Sequence, residues 1–169
     1  MRKWLNALYD GAAWLGALFM VGTLLSVLAG VLDRQFAWSL RGTDAYAGYS
    51  MAASGFLALA HTLKKGEHIR VTLILNAAKG RARRALELWS LSAATALAGL
   101  FAFYSVKLSV NSLQFNDIST GNDATALWIP QIAMGVGAVV LLIAFVDELV
   151  LEISGQRIQP SSDDMLHNE

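Results

Sequence analysis

Four stretches of the chain are uncharged and largely apolar, each about 19 to 23 residues long: residues 11–32, 45–63, 88–106 and 124–146. No Asp, Glu, Lys or Arg interrupts any of them. A helix needs about 20 apolar residues to cross a hydrocarbon core of roughly 30 Å. The pattern therefore predicts an all-α polytopic membrane protein with four transmembrane helices. Residues 1–153 form one four-helix membrane domain in this reading. Residues 154–169 are polar, lack apolar periodicity and are expected to be a disordered cytoplasmic tail.

The first stretch follows Arg2 and Lys3, as a secretory signal would, but it exceeds the roughly 7–15 residues of a cleavable apolar region. A retained anchor is expected. Composition agrees: 55% of the 169 residues are hydrophobic and 15% charged, against about 25% charged in soluble domains. Cysteine is absent, which excludes disulfides and thiolate chemistry. His61, His68 and His167 are too scattered to suggest zinc.

Charge sets the orientation. Seven of the thirteen Lys/Arg residues (Lys64, Lys65, Arg70, Lys79, Arg81, Arg83 and Arg84) lie between the second and third spans. The first connection holds Arg34 and Arg41, and the third holds Lys107. Basic residues near span ends stay cytoplasmic, while acids count little. Both termini and the basic connection are therefore expected in the cytoplasm. Within that connection the apolar run from Ile69 to Leu75 is too short to span. It predicts an interfacial segment, with Arg81, Arg83 and Arg84 toward anionic headgroups at about 1 kcal/mol each. The cluster adjoins spans and is matched by acids elsewhere, so nucleic acid is not an expected partner.

Inside the spans the residues suit packing. Gly16, Gly22 and Gly30 in the first, Gly48 and Gly55 in the second, and Gly135 and Gly137 in the fourth allow close helix approach. That approach could serve the bundle itself or another membrane subunit. Ser92, Thr95 and Gln131 could form interhelical hydrogen bonds. Pro130, after Trp128, suits a helix start or entrance bend. Most Trp and Tyr residues fall near span ends, where such rings anchor. His61, one turn before Lys64 and Lys65, reads as an interfacial histidine satisfied by a neighbour rather than a proton relay. No nucleophile–base set or metal-ligand set can be assembled, so no enzyme is expected.

The segment ALAHTLKKGEHIRVTLIL, residues 58–75, follows on from the second span. With the four-span pattern and Ile129-Pro130, it resembles the small membrane subunit of the tripartite ATP-independent periplasmic (TRAP) transporters, the DctQ-like family. It departs from that pattern at Thr72 and at Met134-Gly135, where many members carry an acid and a second proline. The resemblance implies a non-catalytic bacterial inner-membrane scaffold with no cofactor of its own. Its implied partners are a large multi-span subunit, which uses a sodium gradient to move organic acids, a periplasmic substrate-binding protein and membrane lipids. Membrane or subunit contacts would then involve Lys64, Lys65, His68, Arg70, Arg81, Arg83, Arg84, Trp128 and Pro130. Receptor contacts would involve Asp33, Arg34, Arg41 and Asp44. Two other functions stay open at this point: a stand-alone small carrier or channel, and a membrane anchor of another complex. The first would need a polar cavity, and a redox version of the second would need paired haem-ligating histidines in the spans.

Overall fold

The computed structural model describes residues 2–36, 38–65 and 81–154. They form four α-helices: α1 (Arg2–Phe36), α2 (Thr43–Lys65), α3 (Arg81–Gln114) and α4 (Trp128–Ile153). The expected interfacial run at residues 69–75, with His68 and Arg70, lies outside the described residues, as does the tail from residue 155.

The helices pack as a row rather than a closed bundle. α1 lies on α2, α2 on α4 and α4 on α3, with only a light touch between α1 and α4. α2 and α3 meet through the rings of Phe56 and Phe101, 5.9 Å apart. A core of Tyr9, Ala12, Ala60, Leu63, Val140 and Ala144 joins α1, α2 and α4. It sits at the end holding the α1 N-terminus and the last turn of α2, called here the basic end. Residues 38–42 and the connection 115–127 meet at the other end, the loop end.

α1, α3 and α4 are long and apolar enough to cross a membrane. At 1.5 Å per residue α1 and α3 are each about 50 Å long, well beyond the hydrocarbon thickness. Their outward faces are greasy: Leu18 is 66% exposed, Leu24 58%, Leu97 67% and Phe103 62%. Patches of that extent on a water-soluble surface would promote association. α2, about 34 Å long, is richer in Gly, Ala, Ser and Thr and does not reach the same apolarity. Its neighbours explain this, because α1 and α4 cover it on two sides and small residues let them approach.

The glycines divide sharply. A Cβ on Gly16 would stand 3.1 Å from the Ser54 carbonyl, and one on Gly137 would stand 2.5 Å from the Phe56 carbonyl. These two serve packing within the chain. Gly48 and Gly55 on α2 have nothing within 4 Å of that position.

The fourth helix starts later than the sequence suggests. Ala124 is left-handed, with φ 47°, a conformation that costs a non-glycine residue about 1–2 kcal/mol and cannot continue a helix. Residues 124–127 instead fold back, pairing Ala126 with Ile118. The Ser119 N–H donates to the Thr125 carbonyl at 2.8 Å and the Leu127 N–H to the Asp117 carbonyl at 3.0 Å. The helix then begins at Trp128, so Pro130 falls in its first turn, where a missing N–H breaks no intrahelical bond.

Candidate functional site: two polar braces

Ionised side chains gather at the two ends of the row, and the middle of every helix is free of them. At the basic end, Lys64 in the last turn of α2 reaches across to α4. Its Nζ lies 2.5 Å from Asp147 Oδ2 and 3.5 Å from Glu148 Oε1. All three side chains are at most 22% exposed. The same ammonium lies 5.7 Å from the centre of the Tyr9 ring of α1, near enough for a cation–π attraction. His61, one turn earlier, has Nδ1 3.3 Å from Asp10 Oδ1. One turn of α2 is thereby tied to both of its neighbours. Antiparallel helices bring these groups together, because the last turns of α2 and α4 and the first turns of α1 and α3 share one end.

α3 joins through its first turns. Arg83 Nε lies 3.2 Å from Glu87 Oε1 one turn on, and Glu87 is buried. An Arg84 guanidinium nitrogen donates to the Ile153 carbonyl at 3.4 Å, a basic group placed where a helix C-terminus has unpaired carbonyls. Arg83 and Arg84, expected at lipid headgroups, thus also have contacts within the chain. Lys65 is exposed. Nothing is described for the Arg81 side chain, although its backbone opens α3.

At the loop end the organising residue is Asp123. Ser119 Oγ donates to Asp123 Oδ1 at 2.8 Å, and the Tyr49 hydroxyl donates to Oδ2 at 3.0 Å. Thr125 Oγ1 donates to the Tyr46 hydroxyl at 3.3 Å, a second tie between this loop and α2. Gly42 packs so closely that a Cβ there would fall 2.5 Å from the Asp123 Cβ, and its φ of 80° is itself a glycine conformation. Withdrawal from water pushes the Asp123 carboxyl up, but hydrogen bonds from Ser119, Thr125, Tyr49 and its own backbone outweigh this and hold it down at about 2. A carboxylate depressed in the folded state stabilises it above the unfolded value, near 3.8, and the contribution fades as pH falls through about 2. We therefore expect Asp123→Asn to lower the melting temperature of the detergent-solubilised protein at pH 5–8. The gap from wild type should close as pH falls from about 4 to about 2. A gap unchanged across that range would remove Asp123 from its bracing role.

Of the four loop-end residues singled out from sequence, two pair with each other and a third holds the backbone of its connection. The Leu40 N–H donates to Asp33 Oδ1 at 2.8 Å, closing the α1–α2 connection. Arg34 and Asp44 pair at 3.4 Å while 72% and 84% exposed, a surface contact worth under about 1 kcal/mol. Arg41 is exposed. Trp38, 59% exposed, stacks on Phe36 at 5.3 Å.

Other side chains settle differently from their sequence reading. Thr95 does not bridge helices, since its hydroxyl donates to the Leu91 carbonyl of its own helix at 2.7 Å. Ser92 is exposed. Gln131 Oε1 is buried with no hydrogen-bond partner among the described residues. The sequence pattern drew no attention to Asp10 or Asp123, and Asp147 and Glu148 were set aside as acids of little weight for orientation. The alternating direction of four helices was the usable signal for Asp10, Asp147 and Glu148. Chemically both ends are braces. Among the described residues no group of three or more acids or histidines is placed to hold a metal ion.

A family model described as "Tripartite ATP-independent periplasmic transporters, DctQ component" matches residues 23–155. Comparison with curated proteins gives no match.

Proposed function

Because the chain belongs to the DctQ family, the small membrane component of TRAP transporters, we propose that it is the non-catalytic scaffold of an ion-gradient-driven organic-acid transporter. A larger multi-span subunit carries the substrate and sodium pathway, and a periplasmic binding protein delivers the organic acid. The observation that supports this division of labour most directly is where the charge lies. The middle of each helix is uncharged, while Lys64, Asp147, Glu148, His61 and Asp10 pair across helices at one end. A conduction path through lipid needs polar or ionisable groups at depth, whereas a platform needs rigid ends.

In this reading all four helices span the bacterial inner membrane. α2 has the length, carries no charge between Asp44 and His61, and packs beside two helices that are apolar enough to cross. Basic residues flanking the spans put both termini and the basic end in the cytoplasm. The loop end then faces the periplasm, where the connection held by Asp33 and the Asp123 brace offer a preformed surface to the receptor, with Arg41 exposed on it. Lys65, His68, Arg70, Arg81 and Trp128 contribute membrane or subunit contacts.

Purification of the tagged chain from its native membranes in mild detergent tests the proposal. A large multi-span protein should be recovered in stoichiometric amount. Recovery of the chain alone, or with a soluble enzyme or redox protein in its place, would overturn the reading.

A further inference from the structure

Between α1 and α4, over α2, lies an open apolar groove of about 670 Å³. Leu8, Gly11, Leu15 and Leu18 of α1 form one wall, with Leu57 of α2 and Val140 of α4 opposite. It exists because α1 packs on α2 and barely reaches α4. Gly11 deepens it, since a Cβ there would meet nothing within 4 Å.

The length of the groove points to its occupant. From Ala7 to Leu18 the α1 wall rises about 16 Å, close to one leaflet of a hydrocarbon core about 30 Å thick. A partner helix crossing the membrane would call for a groove about twice as long. One turn beyond Leu8, on the same stripe, stands Trp4, 84% exposed, with Lys3 exposed beside it. An indole settles at the headgroup level and an ammonium attracts phosphate. The acids nearby face other partners: Asp10 faces His61, and Asp147 and Glu148 pair with Lys64.

We propose that this groove seats one acyl chain of an anionic phospholipid, drawn from the leaflet on the side of the α1 N-terminus, with its phosphate at Lys3. The lipid fills the slot that the row leaves open between α1 and α4.

Native mass spectrometry of the full chain, released from vesicles of equal phosphatidylglycerol and phosphatidylcholine, tests this. Wild type should retain one phosphatidylglycerol, preferred about fivefold over zwitterionic phosphatidylcholine, the worth of one lysine beside a net negative headgroup. Lys3→Gln should lose that preference and keep a bound lipid. Gly11→Leu should lose the lipid, while Gly48→Leu, also open at its Cβ position but on α2, should keep it. Leu15→Trp fills the same slot and serves if Gly11→Leu does not fold. Equal retention in the groove-filled variant, or no headgroup preference in wild type, would overturn the proposal. So would a Trp14→Cys variant that cross-links in native membranes to another polypeptide instead of a lipid-borne probe. None of these readouts is transport, so their failure leaves the assignment as a transporter component standing.

Discussion

Replacing Gly137 by alanine forces α2 and α4 apart. The new Cβ would lie 2.5 Å from the Phe56 carbonyl oxygen, 2.6 Å from its carbon and 2.9 Å from the Phe56 Cβ. Two of these atoms are backbone, so no rotamer change relieves the contact and the helices themselves must separate. Overpacking of this kind costs about 1–3 kcal/mol, and more where the backbone has to move. The loss spreads, because the same interface holds Ala60 against Val140 and Ala144 and sets the reach of Lys64 to Asp147. At open positions the sign reverses. Gly55→Ala and Gly48→Ala meet nothing within 4 Å and should gain up to about 1 kcal/mol from helix propensity. Unfolding in mild detergent compares the three directly. A Gly137→Ala protein as stable as Gly55→Ala would show that α2 and α4 do not pack this closely.

The second large effect is expected at Lys64. Lys64→Met removes the cation that Asp147 and Glu148 share, in a place where their side chains are 17% and 12% exposed. Breaking a buried pair from one side costs about 3–5 kcal/mol, mostly through the charge left behind. The aqueous boundary nearby puts this site at the lower end of that range. Two controls separate the brace from general membrane attraction. Lys65→Met, at an exposed position, should change stability little. Adding Asp147→Asn to Lys64→Met should recover part of the loss, since the Asp147 charge is then no longer left behind by the missing ammonium. Denaturant titrations of the four proteins measure this, and equal losses at Lys64 and Lys65 would reduce both to headgroup anchors.

Much of the fold was legible in the sequence because lipid imposes simple rules. Runs of uncharged residues located the helices. Glycine spacing pointed to close approach, which Gly16 and Gly137 show, although spacing alone could not tell them from Gly48 and Gly55. Pro130 was correctly placed at a helix start. The boundary before it was missed because alanine is the best helix former and Ala124 sits in a turn held by hydrogen bonds from elsewhere in its loop. The row order α1, α2, α4, α3 was beyond reach, since length and hydropathy do not say which helices touch.

The braces were harder to read. Lys64 was singled out as basic and near a span end, but its role depends on Asp147 and Glu148, more than 80 residues away. Acids carry little weight in predicting orientation, and setting them aside there hid their part in packing. Asp123 was invisible for another reason. It matters through Tyr49 of α2 and through Gly42, contacts made only once the two loop-end connections meet.

In the proposed role this chain braces a transporter and does not itself carry the substrate. The most direct measurement is uptake of radiolabelled organic acids into proteoliposomes under an inward sodium gradient, with the binding protein present. One set of vesicles holds this chain alone, and another holds it with the large subunit that co-purifies with it. Uptake should appear only in the second set. Gradient-dependent uptake by the chain alone would contradict the account.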